Sequence, residues 1–78
     1  MAAWKKILND YGFILYEKCN CNGAYTEKYS HVDNVYRVHV VPSKNTFTLR
    51  KHGFFQKKGF TYNLEKTLIK YGITVKNI

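Results

Sequence analysis

The chain has 78 residues, of which 45% are hydrophobic, with seven Tyr and five Phe. That is enough for a single packed domain over residues 1–78 and too short for a multi-domain enzyme, and it argues against disorder. Thirteen Lys and Arg stand against five Asp and Glu, a formal net charge of +8, so a polyanion is the natural complement, and no apolar run approaches the roughly 18 residues that a bilayer-spanning helix needs.

In chain order, the first element is a helix. Trp4, Ile7, Leu8 and Tyr11 form one apolar stripe at i, i+3, i+4 and i+7, with Lys5, Lys6, Asn9 and Asp10 on the other side. Gly12 is its stop. Residues 13–16 are rich in β-formers and read as a strand running toward Cys19, and Asn20-Cys21-Asn22-Gly23 has turn composition. Residues 24–31 alternate, with Tyr25, Glu27, Tyr29 and His31 on one side. Asp33-Asn34 is a second turn. Residues 35–41 hold four valines and form the strongest strand. Pro42-Ser43-Lys44-Asn45 turns the chain. In residues 46–51, Phe47 and Leu49 face a core while Thr46, Thr48 and Arg50 face outward. Gly53 ends that run, and residues 54–57 form a short return strand or an extended loop. Thr61 or Asn63 caps a last helix with Leu64, Leu68 and Tyr71 on its apolar face, and Gly72 ends it. The tail over 73–78 is a candidate edge strand. The expected fold is a two-layer α+β domain: helix, three or four antiparallel strands, helix, with both helices on one face of the sheet. Tyr11-Gly12 and Tyr71-Gly72 repeat a helix-stop pattern, explained by shared stop chemistry.

The charge is concentrated. Between Asp33 and Glu65 the chain carries Arg37, Lys44, Arg50, Lys51, Lys57 and Lys58 and no acidic residue. Tyr36, Phe47, Phe54, Phe55, Phe60 and Tyr62 are interleaved with them. The six cations are the candidate binding residues, because basic side chains on or near one sheet surface track a phosphate backbone. Tyr36 or Phe54, if exposed, would stack on unpaired bases, but aromatic side chains at strand spacing usually pack, and both are expected in the core. There is no recognition-helix motif, RNP-type aromatic signature or KH-type loop, which leaves sequence-specific DNA reading without support.

Other chemistry is sparse. Cys19-Asn20-Cys21 with His31 and His39 could supply four zinc donors on paper, but the spacing is not that of a zinc knuckle. With no secretory signal at the N-terminus, a cytoplasmic protein with two reduced cysteines is expected. His31, His39 and His52 invite a general acid–base role on a phosphodiester. The five acids are scattered, which does not fit a two-metal site, and no phosphate loop or nucleophile elbow is present. No cofactor is expected.

Ser30-His31 at a strand end, together with residues 6–13 and 64–73, resembles the small HicA-like toxin ribonucleases, whose fold is similar to double-stranded-RNA-binding domains. Tyr29 stands where that family has Gly. The resemblance implies a helix–strands–helix fold and, as the alternative activity, RNA cleavage with His31 as the catalytic group. Tyr11-Gly12-Phe13, Cys19-Asn20-Cys21-Asn22-Gly23, Phe47-Thr48-Leu49-Arg50-Lys51 and Leu64-Glu65-Lys66-Thr67-Leu68 also look like those of small accessory proteins of bacteriophages and mobile elements. That resemblance implies a non-enzymatic protein that meets RNA or a ribonucleoprotein nuclease in the host cytoplasm and disables it, as anti-CRISPR proteins do. An acidic protein surface is the other partner expected of the basic run, and a small zinc-stabilised interaction domain is the remaining alternative.

Overall fold

The computed structural model describes residues 3–21, with Cys21 described by its backbone alone, and residues 23–75. Helix α1 (Ala3–Asp10) leads into a five-stranded sheet: β1 (Phe13–Cys21), β2 (Ala24–His31), β3 (Tyr36–Val41), β4 (Thr46–Lys51) and β5 (Phe54–Phe60). A second helix, α2 (Leu64–Lys70), follows β5. The strands pair in sequence order and every pairing is antiparallel. The architecture is α+β, with five strands in place of three or four. The extra strand is β5, which continues through Lys58 and Gly59 to Phe60.

The return into β5 is made by His52 and Gly53, at φ 52° and 83°. Two consecutive positive φ values are the geometry of a type I′ turn, whose twist matches that of the strands it joins. Lys51 and Phe54 pair on either side of it. Between β3 and β4, Pro42–Lys44 form a 3-10 turn ending on left-handed Asn45.

Both helices lie on one face of the sheet. Trp4 and Leu8 of α1 and Leu64 and Leu68 of α2 share a core with Tyr11, Phe13, Tyr29, Val38, Val40, Phe47, Leu49 and Ile73. Cross-strand register aligns these sheet residues: Val38 faces Leu49 and Tyr29, while Val40 faces Phe47. The Trp4 and Tyr29 rings meet edge to face at 6.2 Å. The two helix ends are tied by a hydrogen bond from Tyr11 Oη to Glu65 Oε2, 3.0 Å.

Both helices stop in the same way. Tyr11 and Tyr71 donate back to Ile7 and Thr67, and Gly12 and Gly72 donate to Asn9 and Ile69. Asn63 precedes α2 but makes no side-chain capping bond; a 3-10 turn over Thr61–Asn63 leads into the helix instead. The expected edge strand in the tail does not form over residues 73–75: Ile73 is drawn into the core rather than along the sheet, and residues 76–78 lie outside the described residues. The turn expected over residues 20–23 is tighter than its composition implied, because Asn20 and Cys21 belong to β1 and Cys21 pairs with Ala24; Asn22 lies outside the described residues. No described helix is long and apolar enough to cross a membrane.

Candidate nucleic-acid interface

With the helices on one side, strand alternation sends every second side chain of the sheet to an uncovered face. Register fixes who shares it. One row across the strands runs Ile14, Ser30, Arg37, Arg50, Phe55. The next runs Glu17, Lys28, His39, Thr48, Lys58. Val41 and Thr46 lead to Phe60 in a third.

Two irregularities shape this face. The register shift between Leu15 and Glu17 leaves Tyr16 out of the β1–β2 ladder, and its ring lies under the Arg37 guanidinium, 5.2 Å from the centroid. A second shift between Leu49 and Arg50 sets Phe55 opposite Arg50. Bulges commonly re-aim side chains in this way. Beyond β5, Phe60 stacks on Tyr62 with centroids 5.5 Å apart and planes 7° from parallel. Phe55, Phe60 and Tyr62 are 58%, 51% and 79% exposed.

The electrostatics are one-sided. Arg37 sits directly opposite Arg50, a like-charge pairing that a sheet tolerates only at some cost. Of the five acids, Glu17 alone belongs to the uncovered face, and it pairs with Lys28 at 3.5 Å. The others are occupied elsewhere: Asp10 by Lys6, Glu27 by Tyr25 and Tyr29, Asp33 by His31 and Val35, and Glu65 by Tyr11. Among the described residues no carboxylate lies within ion-pair distance of Arg37, Arg50 or Lys58. Arg50 is steadied by donating from Nη2 to the Gly53 carbonyl, 3.2 Å. His39 lies among these cations. Half-burial, then Lys28, Arg50 and Arg37, hold its pKa below the ordinary histidine value, with Glu17 opposing weakly. Its imidazole is therefore neutral at pH 7.

The six expected cations separate. Arg37, Arg50 and Lys58 share the uncovered face. Lys51 pairs with Tyr36 and Phe54 on the helix side, its ammonium 5.6 Å from the Tyr36 ring centroid. Lys57 also turns to the helix side, where it lines a cleft of about 210 Å³ with Asn63, Lys66, Thr67 and Lys70. Lys44 lies in the turn between β3 and β4. One-residue steps along a strand alternate faces, which is why adjacent cations such as Arg50 and Lys51, or Lys57 and Lys58, part company. Lys28 and Tyr16, which sequence reasoning missed, belong to the face. Lys28 falls outside the acid-free run, and Tyr16 is placed by a bulge that no local composition announces.

His31 is on the opposite face, 4% exposed, and packs edge to face on Phe13 at 4.9 Å. Its Nδ1 is 2.8 Å from Asp33 Oδ1 and its Nε2 is buried with no partner. Its Nδ1 accepts from the Asp33 N–H at 3.2 Å and the ring is buried, so the imidazole serves the β2–β3 connection. The four residues considered for zinc do not converge: His31 and His39 are on opposite faces of the sheet, and Cys19, expected as a thiol, is disulfide-bonded. Cys21's side chain is outside the described residues. Among the described residues no group of three or more His, Cys, Asp or Glu is placed to hold a metal ion.

No protein-family model, curated protein or solved structure matches this chain.

Proposed function

We propose that this chain is a small non-enzymatic RNA-binding module that acts in the host cytoplasm as an accessory protein of phage type, occupying RNA or the RNA of a nuclease complex and thereby inhibiting the nuclease. The RNA contact is carried by one observation: Arg37 and Arg50 stand opposite each other on the uncovered sheet face, with Lys58 on the same face and, among the described residues, no carboxylate within ion-pair distance of any of the three. A fold gains nothing from a like-charge cross-strand pair, whereas a phosphate chain neutralises it. Inhibition of a nuclease is inferred from the sequence resemblance to phage accessory proteins. The two cations on the helix side, Lys51 and Lys57, are outside this contact surface.

The test is binding of labelled RNA by the wild type and by the double variant Arg37→Glu/Arg50→Glu, with the same samples scored for cleavage. Arg37 is exposed and Arg50 half-buried with its guanidinium on the Gly53 carbonyl, so binding is compared only once the variant's circular dichroism spectrum and urea midpoint match those of the wild type. Loss of binding without cleavage in either protein is expected. Unchanged affinity in the folded variant contradicts the assignment to this face. Cleavage by the wild type that disappears on His39→Gln contradicts a non-enzymatic role.

A further inference from the structure

Resting on that reading, we infer that the ligand is unpaired RNA, held by base stacking on the aromatic rim of the sheet face as well as by its phosphates. Phe55 and Phe60 lie on the face by register, and Tyr62, in the turn after β5 where it borders a cleft with Trp4 and Ile7 of α1, stacks on Phe60 at the sheet margin. Phe60 and Tyr62 stack nearly parallel while more than half exposed, and Phe55 is exposed beside Arg50. None of the three belongs to the hydrophobic core. The stacked Phe60–Tyr62 pair is exposed apolar surface of the kind that marks a contact site.

The placement of rings and charges then selects the strand. Phe55 and Phe60 flank Lys58 on β5, and Arg50 lies opposite Phe55. A nucleotide offers one planar apolar base and one phosphate, so alternating rings and cations match a chain whose bases are splayed onto a protein surface. A paired helix does not fit this pattern. A-form RNA keeps its bases stacked inside and presents phosphates and 2′-hydroxyls, which leaves the rings of Phe55, Phe60 and Tyr62 facing water. At the opposite margin Tyr16 lies against Arg37, a ring and guanidinium pair on which a further base can lie. Five strands at about 4.8 Å spacing set the two aromatic margins roughly 19 Å apart, within reach of a strand of several nucleotides.

The experiment compares an unpaired uridine RNA of about twelve nucleotides, matched to single-strand site sizes, with a fully paired RNA duplex of the same length. Fluorescence anisotropy is read for the wild type, Phe60→Leu/Tyr62→Leu, Phe55→Leu and Arg37→Glu/Arg50→Glu. Leucine keeps an apolar side chain and removes the ring face, and none of these positions is in the core, so the variants fold. Wild type is expected to bind the single strand more tightly than the duplex. Each leucine variant should weaken single-strand binding by about fivefold or more and leave duplex binding unchanged. Equal affinity for the two RNAs, or leucine variants indistinguishable from wild type while Arg37→Glu/Arg50→Glu fails to bind, overturns the stacking inference and leaves the phosphate-binding face standing. No binding of either RNA by wild type at low salt overturns both, and directs the face toward an acidic protein.

Discussion

Glu27 is a buried carboxylate on the helix side of the sheet, held by two tyrosines and a lysine. It is 5% exposed on the helix side of β2. Its two carboxylate oxygens accept from Tyr29 Oη at 2.7 Å and Tyr25 Oη at 2.8 Å, and Lys5 Nζ lies 3.8 Å away. Burial pushes this carboxyl up, but the two hydroxyls, Lys5 and Lys18 together hold it below its usual value. Burial and the same hydrogen bond push the Tyr29 hydroxyl far above the ordinary tyrosine value. Glu27→Ala should cost about 2–3 kcal/mol in urea unfolding, because a buried tyrosine donor loses its acceptor. A carboxyl whose folded pKa is depressed adds stability above its unfolded pKa and loses it as the pH falls through the folded value. The stability difference between wild type and Glu27→Gln should therefore shrink as the pH drops below about 4.5; a difference independent of pH would mean that the charged form is not what the tyrosines hold.

His39 responds in the opposite functional sense. It is neutral at pH 7 amid Lys28, Arg37 and Arg50, with Lys58 farther along its row and Glu17 at the edge. A bound phosphate favours its protonated form, so RNA affinity should rise as the pH falls below about 6.5. The free fold pays for that protonation, since the folded pKa is the lower one: its stability falls as the pH drops through the same window. His39→Gln should remove the added rise in affinity. If the pH profile of the variant matches that of wild type, His39 does not face the bound RNA.

At the scale of elements, the β4–β5 hairpin decides whether the face exists. Without β5, Lys58, Phe55 and Phe60 have no fixed place. Its turn depends on Gly53 at φ 83°, a conformation that a side chain disfavours. Gly53→Ala should destabilise the domain by about 1–2 kcal/mol and weaken RNA binding, with the loss visible as exchange broadening of β5 amide signals in NMR spectra. Unchanged stability would show that the turn is not under this constraint. The elements themselves were largely legible. β2 and β4 have the limits that their alternation predicts, and α1 ends at the Tyr-Gly stop, because period-2 and period-3.6 burial patterns are local properties. β5 was underread. Its burial pattern is almost entirely exposed, as befits an edge strand with one uncovered face, so no hydrophobic alternation marks it beyond Lys57. His52-Gly53 was the available signal, a pair able to take the two positive φ values of a hairpin turn.

For the whole molecule, a small basic sheet with helices on one side leaves the other side free for a ligand. The charge of +8 and the acid-free run were plain in the chain. Which cations act together was not, because that depends on strand parity and on two bulges. Arg37, Arg50 and Lys58 converge, while Lys51 and Lys57 turn away and Lys28 joins from outside the run. His31 could not be assigned from its motif either, since only the fold shows it buried against Phe13. RNA binding by this face would require those cations to act together on one phosphate chain. The most direct measurement is the salt dependence of RNA binding by wild type and by Arg37→Glu/Arg50→Glu. Three neutralised phosphates on a single strand predict a slope of log K against log salt of about −2 for wild type, and no measurable binding by the variant. A wild-type affinity indifferent to salt, or a variant that binds with the wild-type slope, would contradict the claim that this face meets RNA.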